Sequence, residues 1–278
     1  MVRSIMVVAD GSSPFHGVLD LAVRWGQRFD ALVVGTGIVD QTIRAPAAVP
    51  LGASAAKVER DEDLLARCRQ EVHDELQVLD SRCAEAGVTH ETVQANGRPY
   101  EEVLEHAQRY DVVLVSQPPD QDSAMGGLQH EQLEKVLRST PRPIVAVPEK
   151  LSQRGDGVLI AYDGSLQAAR AVHALVASGL CNAGRTTVVS VNAESEAAAR
   201  GLADRARDYL ELHGIETTVK PVESDRPVGE VILGEIASQQ PEILVAGAYG
   251  QSRLKEFFVG SVTAEFLRQS PVPVFLFH

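Results

Sequence analysis

The sequence predicts an α/β chain made of two tandem domains, each with a five-stranded parallel sheet, and three observations carry that expectation. Short runs of branched apolar residues recur between helical segments, as in parallel sheets covered on both faces. The run Ile5-Met6-Val7-Val8-Ala9-Asp10-Gly11-Ser12 returns as Val158-Leu159-Ile160-Ala161-Tyr162-Asp163-Gly164-Ser165, a separation of 153 residues (163 minus 10). Later landmarks repeat in the same order: Arg98-Pro99 in Arg226-Pro227, and Ser139-Thr140-Pro141-Arg142-Pro143-Ile144-Val145 in Gln269-Ser270-Pro271-Val272-Pro273-Val274-Phe275. Order and spacing together mark a duplication.

Element by element, the first copy places strands at Ile5 to Ala9, Ala31 to Thr36, Glu91 to Gln94, Val112 to Val115 and Ile144 to Val147, with helices between them. The second places them at Val158 to Ala161, Thr187 to Val191, Glu216 to Lys220, Ile243 to Ala246 and Val274 to Phe277. Crossovers are expected to be right-handed. Residues Pro148 to Asp156 are polar, contain glycine and lack an apolar period, so they read as a linker. The boundary falls near residue 152, giving domains 1–152 and 153–278. After its second strand the first copy carries an Ala/Pro-rich loop, Gln41 to Ala56, and then a charged helix from about Lys57 to Glu85. The second copy goes from Val191 to a helix near Glu194 almost at once. A lid, a partner surface and a tolerated surface insertion all fit the longer loop. The apolar last strand of each copy needs a neighbour at its edge, and pairing the two strands would cover both in an intramolecular pseudo-dimer.

Composition narrows the function. A hydrophobic fraction of 44% suits a globular core, while a net charge of -12 and a pI near 5.1 argue against a nucleic-acid backbone as the main ligand, leaving only a local basic patch as a route to one. The chain starts directly in a strand, without an apolar run long enough for an export signal or a spanning helix, so a cytoplasmic location without membrane insertion is expected. Cys68, Cys83 and Cys181 lack metal-site spacing and read as buried thiols. No metal-binding constellation is read.

The chemistry concentrates in the second copy. Gly247-Ala248-Tyr249-Gly250 follows a buried strand, and Gly260-Ser261-Val262-Thr263 opens an apolar-periodic helix. Glycines there admit close backbone approach, and a helix N-terminus offers free amides, which together suit a phosphate. Two ordinary turns with a cap at Ser261 fit the same residues. Asp163 after the first strand suits ribose hydroxyls, as carboxylates at strand ends do in dinucleotide folds. It also suits a turn in which Asp163 or Ser165 caps the next helix.

These motifs closely resemble the universal stress protein family in its tandem form, across essentially the whole chain, with the glycine signature of the ATP-binding branch in the second copy only. The resemblance implies an adenine nucleotide α-hydrolase-like, Rossmann-like α/β sandwich with strand order three, two, one, four, five, and a nucleotide at the C-terminal strand ends. It implies that Asp163 contacts the nucleoside, that Val191 lines the adenine pocket, and that Ala161 and Tyr162 flank the base. Gly247, Gly250, Gly260, Ser261 and Val262 would contact phosphate. The implied ligand is ATP, or AMP or ADP, with Mg2+ as a candidate companion. Counting back from the shared Pro-x-Pro with an offset of 130 (273 minus 143), Gly247, Gly250, Gly260 and Ser261 correspond to Gln117, Asp120, His130 and Glu131, so the first copy has lost the cradle.

No Gly-x-x-x-x-Gly-Lys-Ser/Thr segment is present. Arg253 and Lys255 fit either phosphate screening or a solvated face; His173, His213 and His278 are assigned no catalytic role, and Glu194 and Glu196 read as surface charge. The expected function is an adenine-nucleotide-binding stress-response regulator whose ligand modulates conformation, a cytoplasmic protein partner or homodimerisation. The alternatives are a slow ATPase or nucleotidyl-transfer enzyme and a nucleotide-independent interaction protein.

Overall fold

The computed structural model describes residues 1–11, 15–44, 54–118, 128–151, 155, 157–181, 184–249 and 261–278. The first copy runs β1 (Ser4–Ala9), α1 (His16–Phe29), β2 (Leu32–Asp40), a 3-10 turn (Gln41–Arg44), α2 (Ser54–Glu85), β3 (His90–Gly97), α3 (Pro99–Ala107), β4 (Val112–Ser116), α4 (His130–Ser139) and β5 (Ile144–Val147). The second runs β6 (Val158–Ala161), α5 (Leu166–Ser178), β7 (Thr186–Asn192), α6 (Glu196–Leu212), β8 (Thr217–Glu223), α7 (Val228–Gln239), β9 (Ile243–Gly247), α8 (Ser261–Gln269) and β10 (Val274–Phe277).

All ten strands form one sheet, ordered β3-β2-β1-β4-β5-β10-β9-β6-β7-β8, so each copy has the expected order three, two, one, four, five. Every pairing is parallel except the central seam, where β10 runs antiparallel to β5. There Phe275 faces Val145, its own counterpart at the 130-residue offset, so a pseudo-two-fold axis passes through that pair. The expected pseudo-dimer is therefore closed by backbone hydrogen bonds, and both apolar edges are covered. Val145 and Phe275 are fully buried, and each such side chain contributes about 1.5–3 kcal/mol.

The period-2 alternation of the strands feeds two apolar layers, each continuous across the seam. One layer packs against α1, α2, α5 and α6, the other against α3, α4, α7 and α8. The copies fill the first layer in complementary ways. In β2, a Cβ at Gly37 would meet Leu76 at 2.7 Å and Val72 at 2.8 Å, so bulky α2 side chains sit on a glycine strand. In the second copy the residues 153 positions on from Gly35 and Gly37 are Val188 and Ser190, and the facing helix buries Ala199, Ala203 and Ala206 instead.

Several sequence-based readings need correction; β3 and β8, for example, run three residues past their expected ends at Gln94 and Lys220. Strand β2 continues past Thr36 to Asp40, because β3 pairs with it as far as Asp40 opposite Gly97. Helix α2 starts at Ser54, three residues before the expected Lys57, and part of the Gln41 to Ala56 loop lies outside the described residues. In α8 Ser261 is already helical, so it is not the residue preceding the helix that a cap requires. Cys68, Cys83 and Cys181 are buried free thiols, as expected. Among the described residues no helix is long and apolar enough to cross a membrane.

Candidate functional site

In each copy the chain leaves the first strand towards one side of the sheet and places the fourth on the other. This creates switch points between β1 and β4 and between β6 and β9. Such points open a crevice at the C-terminal strand ends, where ligands of open α/β sheets bind.

At the second switch point, Ala161 of β6 pairs with both Val189 of β7 and Ala246 of β9. The Tyr162 N–H donates to the Val189 carbonyl at 2.9 Å, and Ser190 Oγ donates to the Tyr162 carbonyl at 2.6 Å, fixing the chain up to Asp163. Gly164, at φ 76°, then turns the chain. Asp163 Oδ1 accepts from the Ser165 N–H at 2.9 Å, and Ser165 Oγ caps α5 by accepting from the Ala168 N–H at 3.1 Å. The turn and cap are therefore real, and the Asp163 side chain that forms the turn remains exposed at the strand ends.

The sheet separates the implied base contacts. Ala161, Val191 and Val262 are half-buried against the layer that holds Ala248 and Tyr249. Tyr162 packs into the opposite layer, so it does not join them on one face. Burial pushes its phenol up, and the neighbouring Asp163 adds to this. Gly247 ends β9 opposite Phe277, and a Cβ there would lie 2.4 Å from the Ala168 amide nitrogen. Close packing of strand on helix thus requires this glycine, whatever else it contacts. Gly250 and Gly260, with Arg253 and Lys255, lie outside the described residues.

Tyr249 was not singled out from the sequence. It is buried at φ 52°, a left-handed conformation unusual for a bulky residue. Its N–H donates to Thr263 Oγ1 of α8 at 3.4 Å, and the Arg138 guanidinium of α4 lies 4.5 Å from its ring centroid. Burial, with a smaller contribution from Glu134, pushes its phenol up to about 12.

The first switch point is occupied by the chain itself. Asp10, the counterpart of Asp163, is buried, and its Oδ2 accepts from the Leu128 N–H at 2.7 Å. Leu128, just before α4, is itself buried. From the other side α2 closes over Gly11, whose N–H donates to Glu75 Oε2 at 3.1 Å. Glu75 is half-buried, and burial followed by repulsion from Asp10 and Glu71 pushes its carboxyl up to about 8. It was not singled out from the sequence, although its spacing, three residues after Val72 and four before Leu79, puts it on the buried face of α2.

The ladders also correct the alignment of the copies. Gly247 faces Phe277, whereas the residue facing the equivalent Val147 is Ser116, not Gln117. The Ala248 and Gln117 N–H groups donate to those same two partners, at 2.8 and 2.9 Å. The first copy is one residue longer between β4 and β5, and the offset there is 131. A polar cleft of about 330 Å³ lies one strand away, where α2 residues Arg69 and His73 face Gln94 and Asn96 of β3.

This duplicated chain is similar to known proteins. The model of the universal stress protein family matches residues 1–148 and again 156–278, and the chain belongs to that family. A curated relative, the universal stress protein Slr1230 of Synechocystis, is 28% identical over 172 residues, an alignment spanning 60% of this chain and 58% of the relative. Among solved structures, a universal stress protein from Archaeoglobus fulgidus covers 99% of this chain and 97% of its own, with 17% identity and a TM-score of 0.69. A protein of unknown function from Pseudomonas aeruginosa covers 99% and 92%, with 17% identity and a TM-score of 0.58.

Proposed function

We propose that the chain is a regulatory protein that binds one adenine nucleotide per molecule at the switch point between β6 and β9. The observation that carries this reading is the contrast between two equivalent acids. Asp10 is buried, bonded to Leu128 and crowded by Glu75, whereas Asp163 is exposed at an equivalent crevice. A carboxylate there accepts hydrogen bonds from ribose hydroxyls. Half-buried Ala161, Val191 and Val262 supply apolar surface on one face, and the glycine signature with the N-terminus of α8 suits the phosphates. ATP, ADP and AMP share the groups this arrangement would recognise. Residues 1–152 form the closed half and 153–278 the binding half in this proposal.

Regulation follows if the ligand favours one state of the protein, because bound nucleotide shifts only those equilibria whose states differ in affinity for it. The test is calorimetry of the full chain with ATP, followed by mass and partner capture with and without nucleotide. We expect about one equivalent per chain, no sustained hydrolysis, and an affinity reduced about 10- to 100-fold in Asp163→Ala through loss of charge-assisted hydrogen bonds. Gly260→Val is expected to weaken ATP more than adenosine, and Asp10→Asn to leave ATP affinity within about twofold. Two equivalents, or Asp163→Ala binding ATP as tightly as the unaltered chain, refutes the site. Identical assembly and partner affinity with and without nucleotide refutes the regulatory role for those partners.

A further inference from the structure

We infer that Arg138, on α4 of the first domain, is a positioning residue for the phosphate end of the second domain's ligand site; this rests on the nucleotide reading above. Tyr249 is the residue just before Gly250 and holds a left-handed backbone that costs about 1–3 kcal/mol and persists only where its surroundings impose it. Two contacts impose it. Within its own domain, Thr263 in the first turn of α8 accepts the Tyr249 N–H at 3.4 Å. From the other domain, the Arg138 guanidinium lies over the ring, 4.5 Å from its centroid. Glu134, one turn back on α4, holds that guanidinium in place: its Oε1 accepts from Arg138 Nε at 3.0 Å and from Nη2 at 2.8 Å.

Across the pseudo-two-fold axis a different pair of residues makes a comparable contact between the domains. Gln117, just past the end of β4 and the counterpart of Ala248 at the 131 offset, donates from Nε2 to the carbonyl of Ser270, just past the end of α8, at 3.1 Å. In each case the turn after the fourth strand of one domain is held by the last-helix region of the other. Only the Arg138 side of this exchange reaches the domain whose acid is exposed. Arg138 thereby acts through Tyr249 on the first turn of α8, where phosphate is expected. The nucleoside end, at Asp163 and Val191, is built from β6 and β7, on the other side of β9 from the seam. Arg138 therefore links the closed domain to the open one.

The experiment is calorimetric titration of the full chain, and of its Arg138→Ala, Tyr249→Leu and doubly substituted forms, with ATP and separately with adenosine. The Arg138 side chain is about one-third exposed (36%), and circular dichroism checks that each variant is folded. The expected result is a loss of about threefold to tenfold in ATP affinity for each single variant, with adenosine affinity changed by less than about twofold. Because the two side chains act as one unit, the double variant is expected to lose no more than the larger single loss. Equal losses for ATP and adenosine, unchanged ATP affinity, or additive losses in the double variant overturn the inference while leaving the nucleotide reading intact. An unaltered chain that binds neither ligand overturns that reading, and the inference with it.

Discussion

Replacing Glu75 by Gln is expected to remove a pH dependence built into the first domain. The carboxyl sits among Asp10, Glu71 and the Gly11 amide, and its pKa rises from 4.5 to about 8, chiefly through burial. The native state therefore keeps a proton that the unfolded chain releases. Its contribution to stability is fully present below about pH 4.5 and is lost as the pH rises through about 8. At about 1.4 kcal/mol per pH unit the ceiling is about 5 kcal/mol. Water reaching a half-buried side chain screens much of this, and about 1–2 kcal/mol is the expected effect. Glutamine keeps an oxygen for the Gly11 N–H but cannot ionise beside Asp10. Trp25, the only tryptophan in the chain, is buried in α1 and reports on the first domain. Urea unfolding followed by its fluorescence, at an m-value of about 2 kcal/mol per M, is expected to show the midpoint of Glu75→Gln rising by about 0.5–1 M relative to the unaltered chain between pH 5 and pH 9. A midpoint difference that stays constant over that range refutes the assigned protonation.

Gly247→Ala forces a Cβ against the backbone of Gln167 and Ala168 and is expected to cost about 1–3 kcal/mol in thermal unfolding. Gly201→Ala and Gly234→Ala, in the interiors of α6 and α7 with open space at the new Cβ, are each expected to stabilise by about 0.5–1 kcal/mol. A Gly247→Ala protein as stable as these two would show that β9 and α5 are not in close contact. Burial raises the pKa of all three thiols, that of Cys83 to about 11. Thiol reagents at pH 7.5 are therefore expected to react slowly with the folded chain and rapidly with three groups in urea; one rapid equivalent without urea counts against a fully buried set.

Much of the fold was legible because buried parallel strands are short, branched and apolar on both faces. The four-residue strand Ile144–Val147, for example, matches its expected ends. The pairing of the two last strands followed from apolar edges that need a partner; its antiparallel sense came from the structure. The length of β2 was hidden because Gly35 and Gly37 carry no side chain to show an alternating pattern. Their reason for being glycine lies about forty residues away, in Leu76 and Leu79 of α2. The extra residue of the first copy was hidden because the alignment was anchored at Pro-x-Pro, beyond the point where the lengths diverge.

The candidate site was legible only where its reasons are local. Asp163, Gly164 and Ser165 form a turn and a cap within a few residues, and their spacing announces it. Gly247 suggested room for a ligand, yet its nearest neighbour is the α5 backbone, because a missing Cβ does not say what approaches it. Tyr249 breaks a local rule outright: glycine would hold φ 52° without strain. Glycine would also remove the ring that Arg138 covers and with it this contact between domains. A bulky residue in a left-handed turn persists when tertiary contacts over-determine it, and here those contacts come from both domains at once. No spacing rule links positions 138 and 249, so only the folded seam shows why a tyrosine, rather than a third glycine, stands between Ala248 and Gly250.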